Sequence, residues 1–275
     1  MNNAQKLLRG GVIVAVINNG NEARLLKAKD AAKRFFQDEP DAVRDVRVFE
    51  WQATAGPISR KARVRRTLLI FGSEIRHAFF IGTGALALAK IFTRIFFEIF
   101  SCLSGPKSKH ATRSFAELAL TDKHVRCLIN FMEGGADHLL VLEDDVTLSV
   151  ETTLTGGSLL RLLDSTNDSP LFVSLAKAFT LKELGLEGKV TKRDDQLLHL
   201  PKGGSNTTAA YLVNRIFAQK ALAQILSRPD LRRLPSDWMI SSIIRNMNGV
   251  ECLHAQEGPF INGSLLGFAK SEIRP

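Results

Sequence analysis

An uninterrupted apolar run near the start of the chain sets the fold class. Val12–Ile17 reads VIVAVI, is mostly β-branched and is followed by Asn18, Asn19 and Gly20, which are residues typical of a turn. A strand without a polar position leaves no face for solvent, so we expect it inside a parallel sheet covered by helices on both sides. Residues 22–36 then repeat apolar side chains at helical spacing, which predicts a helix.

Later segments continue this alternation of strand and helix. Val46–Trp51 alternates as a second strand, and parallel pairing requires a crossover such as the intervening helix. The segments that follow are two helical and three strand-like ones: 114–132, 215–227, His138–Leu142, Leu171–Leu175 and Thr208–Val213. We therefore predict an α/β fold with a sheet flanked by helices, in a single domain spanning residues 1–275.

The charge of the chain is concentrated in its first part. Lys and Arg number 37 against 28 Asp and Glu, and residues 1–113 carry 20 of the basic and only 9 of the acidic side chains. The densest basic cluster lacks the interleaved aromatic residues of a single-strand stacking platform, so we expect no nucleic-acid partner. Its members are Arg60, Lys61, Arg63, Arg65 and Arg66. This asymmetry predicts an anionic partner that only one face of the protein meets.

Residues 58–110 interrupt the α/β pattern and are predicted to form a basic, amphipathic helical insertion. Ala78–Phe100 is long enough to cross a bilayer, but Lys90, Arg94 and Glu98 are spaced by four and share one helical face. Two interpretations stay open. The apolar face packs on the core, or the helix lies in the headgroup layer of an anionic membrane, which the basic cluster favours.

Cysteine usage and the first residues indicate the compartment. Cys102, Cys127 and Cys252 lack metal-ligand spacing and are too few for a disulfide framework, which favours a reducing environment. The first apolar run has six residues and no small-residue cleavage site follows it, so we interpret it as a strand. We expect a cytoplasmic protein, with peripheral attachment to the inner face of the membrane if the insertion binds lipid.

The main chemical signal is a strand that ends in three carboxylates. His138–Leu142 runs directly into Glu143, Asp144 and Asp145. Adjacent carboxylates repel one another unless a cation neutralises them, and hard oxygen ligands suit Mg²⁺ or Mn²⁺. Ligands of open α/β sheets collect at the carboxyl ends of strands. The motif therefore predicts a site for a metal–diphosphate, and a solvated acidic turn is the alternative.

Several ordered segments resemble glycosyltransferase family 25, the lipooligosaccharide- and collagen-galactosyltransferase-like enzymes. Glu117 and His124 keep the spacing of the family's "GE-[IV]-[GA]-C-x-x-S-H" segment, although its Gly, Cys and Ser are absent. The other matching segments resemble, in order, "LEDD", "T-x-[GA]-Y", "P-x-D-W" and "QGS…S-x-I": Leu142–Asp145, Thr208–Tyr211 (or from Thr207), Pro235–Trp238, and Asn262–Ser264 with Ser271–Ile273. The resemblance covers residues 12–56 and 114–275 and leaves 58–110 outside.

This resemblance implies the glycosyltransferase A fold, with a Rossmann-type mixed sheet flanked by helices. It also implies a metal-dependent, inverting transfer of a sugar from a nucleotide-sugar donor. The donor that the family most commonly implies is UDP-galactose. The acceptor would be a saccharide or a lipid-linked oligosaccharide of cell-surface glycan synthesis, such as lipopolysaccharide. A divalent ion, Mn²⁺ or Mg²⁺, would hold the diphosphate, and a carboxylate would take the acceptor hydroxyl proton.

Four carboxylates are the expected chemical groups of such a site. Asp144 and Asp145 are the metal-side candidates, and Glu143 is a further ligand or a partner of the donor sugar or ribose. Asp237 is the candidate general base, because Pro235 and Trp238 beside it supply a rigid turn and an apolar wall. The alternative for Asp237 is a helix N-cap.

Three further residues are expected to contact the donor. His124 precedes the acidic strand on a helix, where a structural role is the alternative. Tyr211 is expected to stack on a donor or an acceptor ring, with packing in the core as the alternative. Asn18 and its neighbour Asn19 follow the first strand, where the amides suit the edge of a uracil base.

Two other function classes stay open. A metal-dependent nucleotidyltransferase would use the same carboxylates, but no glycine-rich "GxxxxGK" phosphate loop occurs in the sequence. A catalytically silent, membrane-associated glycan-binding or scaffold protein would keep the fold without the chemistry.

Overall fold

The structure, a computed structural model, describes residues 11–50, 59–81, 89, 92–93, 109–163, 168–177, 181, 186, 188–200 and 208–263. Some residues on which sequence expectations depend lie outside this part. They include Trp51 at the end of the predicted second strand, Lys90, Arg94 and Glu98 of the amphipathic helix, Cys102, Thr207, and the closing residues Ser264 and Ser271–Ile273.

Strands and helices alternate along the described chain. The strands are β1 (Val12–Ile17), β2 (Val43–Phe49), β3 (His138–Glu143), β4 (Val146–Leu148), β5 (Leu171–Ser174), β6 (Ala176–Lys177), β7 (Thr191–Lys192), β8 (Leu197–His199), β9 (Ala210–Asn214), β10 (Glu251–Ala255) and β11 (Phe260–Asn262). The helices are α1 (Glu22–Phe35), α2 (Arg60–Ile81), α3 (Lys109–Glu133), α4 (Gly156–Leu163), α5 (Arg215–Ser227) and α6 (Ser236–Asn246). Single 3₁₀ turns cover Pro40–Ala42 and Pro229–Arg233.

The described strands form one large mixed sheet and one small sheet. The large sheet has the order β2-β1-β3-β9-β5-β10-β8-β7, and the small sheet has the order β4-β11-β6. Within the large sheet, β9 runs antiparallel to β3 and β5, and β8 runs antiparallel to β10 and β7. The pairs β1–β2, β1–β3 and β5–β10 are parallel. This arrangement confirms the prediction of an α/β fold with a mixed sheet flanked by helices.

The first strand is buried on both faces, as its apolar run predicts. Ile13, Ala15 and Ile17 belong to a core cluster that includes side chains of α3, α5 and α6. The residues between them, beginning with Val12, belong to a second cluster on the other face, with α1 and α4. The alternation of strand side chains assigns successive residues to opposite faces, and both faces are covered.

The second strand begins three residues earlier than the predicted Val46–Trp51. The 3₁₀ turn Pro40–Ala42 delivers the chain directly to Val43, which pairs with Val12. The strand lies at the edge of the sheet, so several of its residues are exposed, and the sequence alternation marks only its central part.

Helix α2 is the described start of the predicted insertion, and it packs inward by a face that is largely polar. The buried residues recur at helical spacing and are Arg63, Arg66, Thr67, Ile70, Ser73 and Glu74. This face contacts α6 and the turn Pro229–Arg233. Within the described residues, no helix is long and apolar enough to cross a membrane.

Candidate functional site

The candidate site lies where three chain segments meet at the carboxyl end of the central strands. The last residue of β3, Glu143, stands beside Ile17 of the parallel strand β1. Because β9 is antiparallel to β3, the residues that lead into β9 reach the same edge, and the Glu143 amide donates to the carbonyl of Ala209 at 2.8 Å. Helix α6 begins close by, since Ser236 contacts Thr208.

The loop after β1 is held by its own side chains. Asn18 is buried, and its Oδ1 accepts hydrogen bonds from the amides of Gly20 at 3.1 Å and Asn21 at 3.2 Å. Asn21 then caps α1 by accepting from the Arg24 amide at 3.1 Å. The Asn18 oxygen that was expected at a uracil edge therefore shapes the loop, and the nucleotide contact stays a prediction.

Asp144 is turned toward this loop. Its Oδ2 accepts from the Asn19 amide at 2.7 Å, its Oδ1 lies 3.5 Å from Asn19 Nδ2, and Arg24 Nη1 lies 4.0 Å from Oδ1. The side chain is only 1% exposed. Asp144 thus joins β3 to the loop after β1, and its expected role as a metal ligand stays a prediction.

Lys123 supports the same loop and was missed by the sequence analysis. Its buried Nζ donates to the Asn18 carbonyl and to Asn19 Oδ1, both at 2.7 Å. A signal for it exists in the sequence, because Lys123 lies three residues after Leu120 and four before Cys127, on the apolar stripe of α3.

Glu143 has other partners than Asp144. Its Oε1 accepts from Thr208 Oγ1 at 3.1 Å and lies 3.4 Å from His124 Nε2. The Thr208 hydroxyl also bonds the Ser236 hydroxyl at 2.9 Å, which connects the acidic strand end to the first turn of α6. The sequence marks Thr208 and Ser236 only as parts of the motif segments. It does not predict their hydrogen bond, because that contact depends on the strand order.

His124 and Tyr211 lie behind Glu143 and are completely buried. The Tyr211 hydroxyl lies 3.0 Å from His124 Nδ1, and the Tyr211 ring also stacks on Phe172. Burial raises the pKa of Tyr211 well above its ordinary value. Neither side chain reaches solvent in this structure, and the donor contacts expected of His124 and Tyr211 stay predictions.

Asp237 lies in the first turn of α6. Pro235 occupies the cap position, Ser236 is the first helical residue, and Asp237 is half-buried in the second position. The capping alternative for Asp237 therefore does not describe this helix. Trp238 packs against the core cluster that includes α6, and its expected place as an apolar wall beside Asp237 stays a prediction.

Asp145 is the third carboxylate and lies toward the small sheet. It is half-buried, and its carbonyl accepts from the Gly263 amide at 2.8 Å, next to β11. Within the part of the chain that the structure describes, no group of three or more His, Cys, Asp or Glu side chains could hold a metal ion. Mg²⁺ in phosphate-transfer sites is commonly held by one or two carboxylates together with substrate phosphates, and Glu143 and Asp145 supply hard oxygens of that kind.

Comparison with known proteins gives no match, either to a model of a protein family or to a curated protein. The geometry of the strand end and the motif segments are therefore the basis for a functional proposal.

Proposed function

We propose that the protein is a metal-dependent inverting glycosyltransferase of the family 25 type, with a glycosyltransferase A fold. The observation that carries the proposal is the acidic end of β3, where Asp144 bonds the loop after β1 and Glu143 bonds Thr208 near the start of α6. The substrate class is a nucleotide-sugar, with UDP-galactose as the first donor to test, and a saccharide or lipid-linked acceptor.

Asp145 and Glu143 are the residues that would hold a divalent ion, Mn²⁺ or Mg²⁺. Asp144, the other metal ligand expected from the sequence, is here assigned to the loop, because its Oδ2 accepts from the Asn19 amide. When bound, this ion supplies positive charge to the leaving diphosphate. Asp144 instead joins the end of β3 to the loop after β1, and this bond holds the neighbouring carboxylates in position. The Glu143 carboxylate can also accept a hydrogen bond from a hydroxyl of the donor sugar or ribose.

Asp237 is the proposed general base. It lies in the first turn of α6, next to Ser236. The Ser236 hydroxyl bonds the Thr208 hydroxyl, which bonds Glu143, so a hydrogen-bonded chain connects this turn to the Glu143 carboxylate. The acceptor hydroxyl would lose its proton to Asp237 as its oxygen attacks the anomeric carbon.

Titration calorimetry with UDP, with and without MnCl₂, tests the proposal. A glycosyltransferase binds UDP with metal-dependent heat, whereas a silent scaffold protein of the same fold gives none. A screen for release of UDP or GDP from nucleotide-sugars then identifies the donor, because slow donor hydrolysis needs no acceptor. Formation of pyrophosphate from a nucleoside triphosphate, without sugar release, would instead identify a nucleotidyltransferase.

Peripheral membrane attachment belongs to this proposal and depends on the insertion. Helix α2 presents fewer basic groups than its sequence suggests, because Arg63 and Arg66 are buried and Arg65 pairs with Asp230. We therefore expect residues 82–108, most of which lie outside the described part, to carry most of the binding.

Vesicle flotation tests the attachment. The wild type should float with anionic vesicles at low salt and less at high salt, because charges are screened within ~8 Å at physiological ionic strength. Replacing Phe96 and Phe97 by Asp should abolish flotation at any salt. Wild-type protein that stays in the bottom fraction with anionic lipid at low salt contradicts the attachment.

A further inference from the structure

A buried Tyr–His pair stands directly behind the acidic strand end. Tyr211 lies on β9 and pairs with Val141 of β3, two residues before Glu143. His124 lies on α3, and its ring stacks on that of Tyr211 with centroids 5.7 Å apart. Strands and helix thus hold both rings in fixed positions against the carboxylate.

The hydrogen positions follow from the contacts. The Tyr211 hydroxyl and His124 Nδ1 are 3.0 Å apart, so one of them donates to the other. If Nδ1 donated, the Tyr211 proton would have no acceptor among the described residues, and the Nε2 lone pair would face the Glu143 carboxylate. If Tyr211 donates, Nε2 carries the ring proton and directs it at Glu143.

We infer that His124 is a positioning residue for Glu143, held in its Nε2–H tautomer by the Tyr211 hydroxyl. The Nε2–Oε1 separation of 3.4 Å is longer than a standard hydrogen bond. It is an electrostatic contact that a small movement of Glu143 converts into a hydrogen bond, and such contacts commonly tighten when a ligand binds.

These contacts order the Glu143 carboxylate through one oxygen, Oε1, and leave Oε2 available for a ligand. Thr208 and His124 both contact Oε1, while Oε2 makes no hydrogen bond within the described residues. Glu143 is 17% exposed, so a ligand can reach it. On the proposed function, Oε2 would accept the hydroxyl of the donor sugar or ribose, or join the metal, in an orientation that His124 maintains.

Nitrogen-15 NMR of the histidine rings tests the tautomer without any ligand. In the wild type at neutral pH, the His124 ring should show a protonated Nε2 and an unprotonated Nδ1, and a His124→Asn spectrum assigns the signals. Tyr211→Phe should turn this into a mixture of the two tautomers. An Nδ1–H ring in the wild type, or an unchanged ring in Tyr211→Phe, overturns the inference.

Affinity for UDP with Mn²⁺ tests the positioning role. The His124→Gln variant can place an amide donor near the former Nε2 and should bind UDP within a fewfold of wild type. The His124→Asn variant should bind UDP about 10-fold more weakly, the low end for loss of a supporting partner. Equal affinities of the two folded variants overturn the positioning role. If the Asn variant does not fold, Tyr211→Phe replaces it, with a smaller loss expected.

The NMR spectrum and the UDP affinity together distinguish failure of the proposed function from failure of the inference about His124. Absence of metal-dependent UDP binding in the wild type defeats the proposed function and the role of Oε2, while the tautomer is still decided by NMR. An Nδ1–H ring beside normal UDP binding defeats only the inference about His124.

Discussion

The backbone amide of Asn19 donates a 2.7 Å hydrogen bond to Oδ2 of Asp144, which joins the loop after β1 to the acidic end of β3. Glu143 is the last residue of β3 and Asp144 lies in the turn that follows, and the two carboxylates have different partners. One carboxylate braces a loop, and its neighbour faces His124 and Thr208.

Replacing Asp144 by Ala should lower stability. The Asn19 amide would lose a charged, buried acceptor, so we expect the free energy of unfolding to fall by about 1–3 kcal/mol. Urea denaturation of the variant and the wild type measures the change. Asp145→Ala is the matched control in the same motif and should cost less, because Asp145 is only half-buried. Equal losses would contradict the bracing role.

Asp145→Ala should abolish metal-dependent UDP binding while the protein stays folded. The substitution removes a proposed metal ligand and also relieves repulsion among three adjacent carboxylates. Calorimetry with UDP and MnCl₂ checks the loss, and circular dichroism checks the fold. A folded Asp145→Ala protein with wild-type affinity for UDP and Mn²⁺ refutes the assignment of Asp145 to the metal.

Asp237→Asn should separate chemistry from donor binding. Asn keeps the shape of the side chain but cannot take a proton, so transfer should fall by ~10²–10⁴. Donor affinity, measured with UDP and MnCl₂, should stay near that of the wild type. If affinity collapses together with transfer, Asp237 belongs to the donor site and another group is the base.

The sequence could predict the strand end as a location but not the directions of its side chains. The apolar runs before Asn18 and Glu143 predict buried strands, and the parallel pairing of β1 with β3 brings their ends together. The links from Lys123 to the Asn18 carbonyl and from Thr208 to Ser236 join residues more than 25 positions apart. Such contacts depend on strand order, which local patterns do not specify.

The sequence also could not predict which side chains of the basic cluster are buried. Charge counting treats Arg63 and Arg66 as surface groups, but α2 turns both inward. Arg66 pairs with Glu117 and donates from Nε to the Arg233 carbonyl at 2.9 Å. A basic side chain on a helix is most often exposed, so only the partner carboxylate on another helix could have indicated burial.

Arg66→Ala should therefore be much more damaging than Arg65→Ala. The Arg66–Glu117 pair is largely buried, and removing one partner of such a pair costs about 3–5 kcal/mol because the other charge stays buried. Arg65 is 57% exposed and pairs with an exposed Asp230, so its loss should cost about 0.2–1 kcal/mol. Urea denaturation measures both values.

A double variant separates the charge from the packing. Replacing Arg66 by Met together with Glu117 by Leu removes both buried charges and should recover much of the stability that Arg66→Ala loses. If Arg66→Ala costs no more than Arg65→Ala, helix α2 does not pack on the core through this pair.

His254 should make the protein sensitive to mild acid. Burial on β10 lowers the pKa of His254 to about 4 from an ordinary 6.5. Between these two pH values the unfolded chain binds a proton at His254 that the folded chain does not. The stability that the neutral His254 contributes is therefore fully present above pH 6.5 and is lost as the pH falls toward 4. A shift of this size corresponds to at most about 3 kcal/mol.

Replacing His254 by Asn should remove this part of the pH dependence. The difference in the free energy of unfolding between pH 7 and pH 4.5, measured in urea, should be smaller in the variant than in the wild type. The control is His199→Asn on the adjacent strand β8, where the histidine is 41% exposed. If the acid sensitivity of His254→Asn equals that of the wild type, the buried His254 imidazole is not what destabilises the fold in this range.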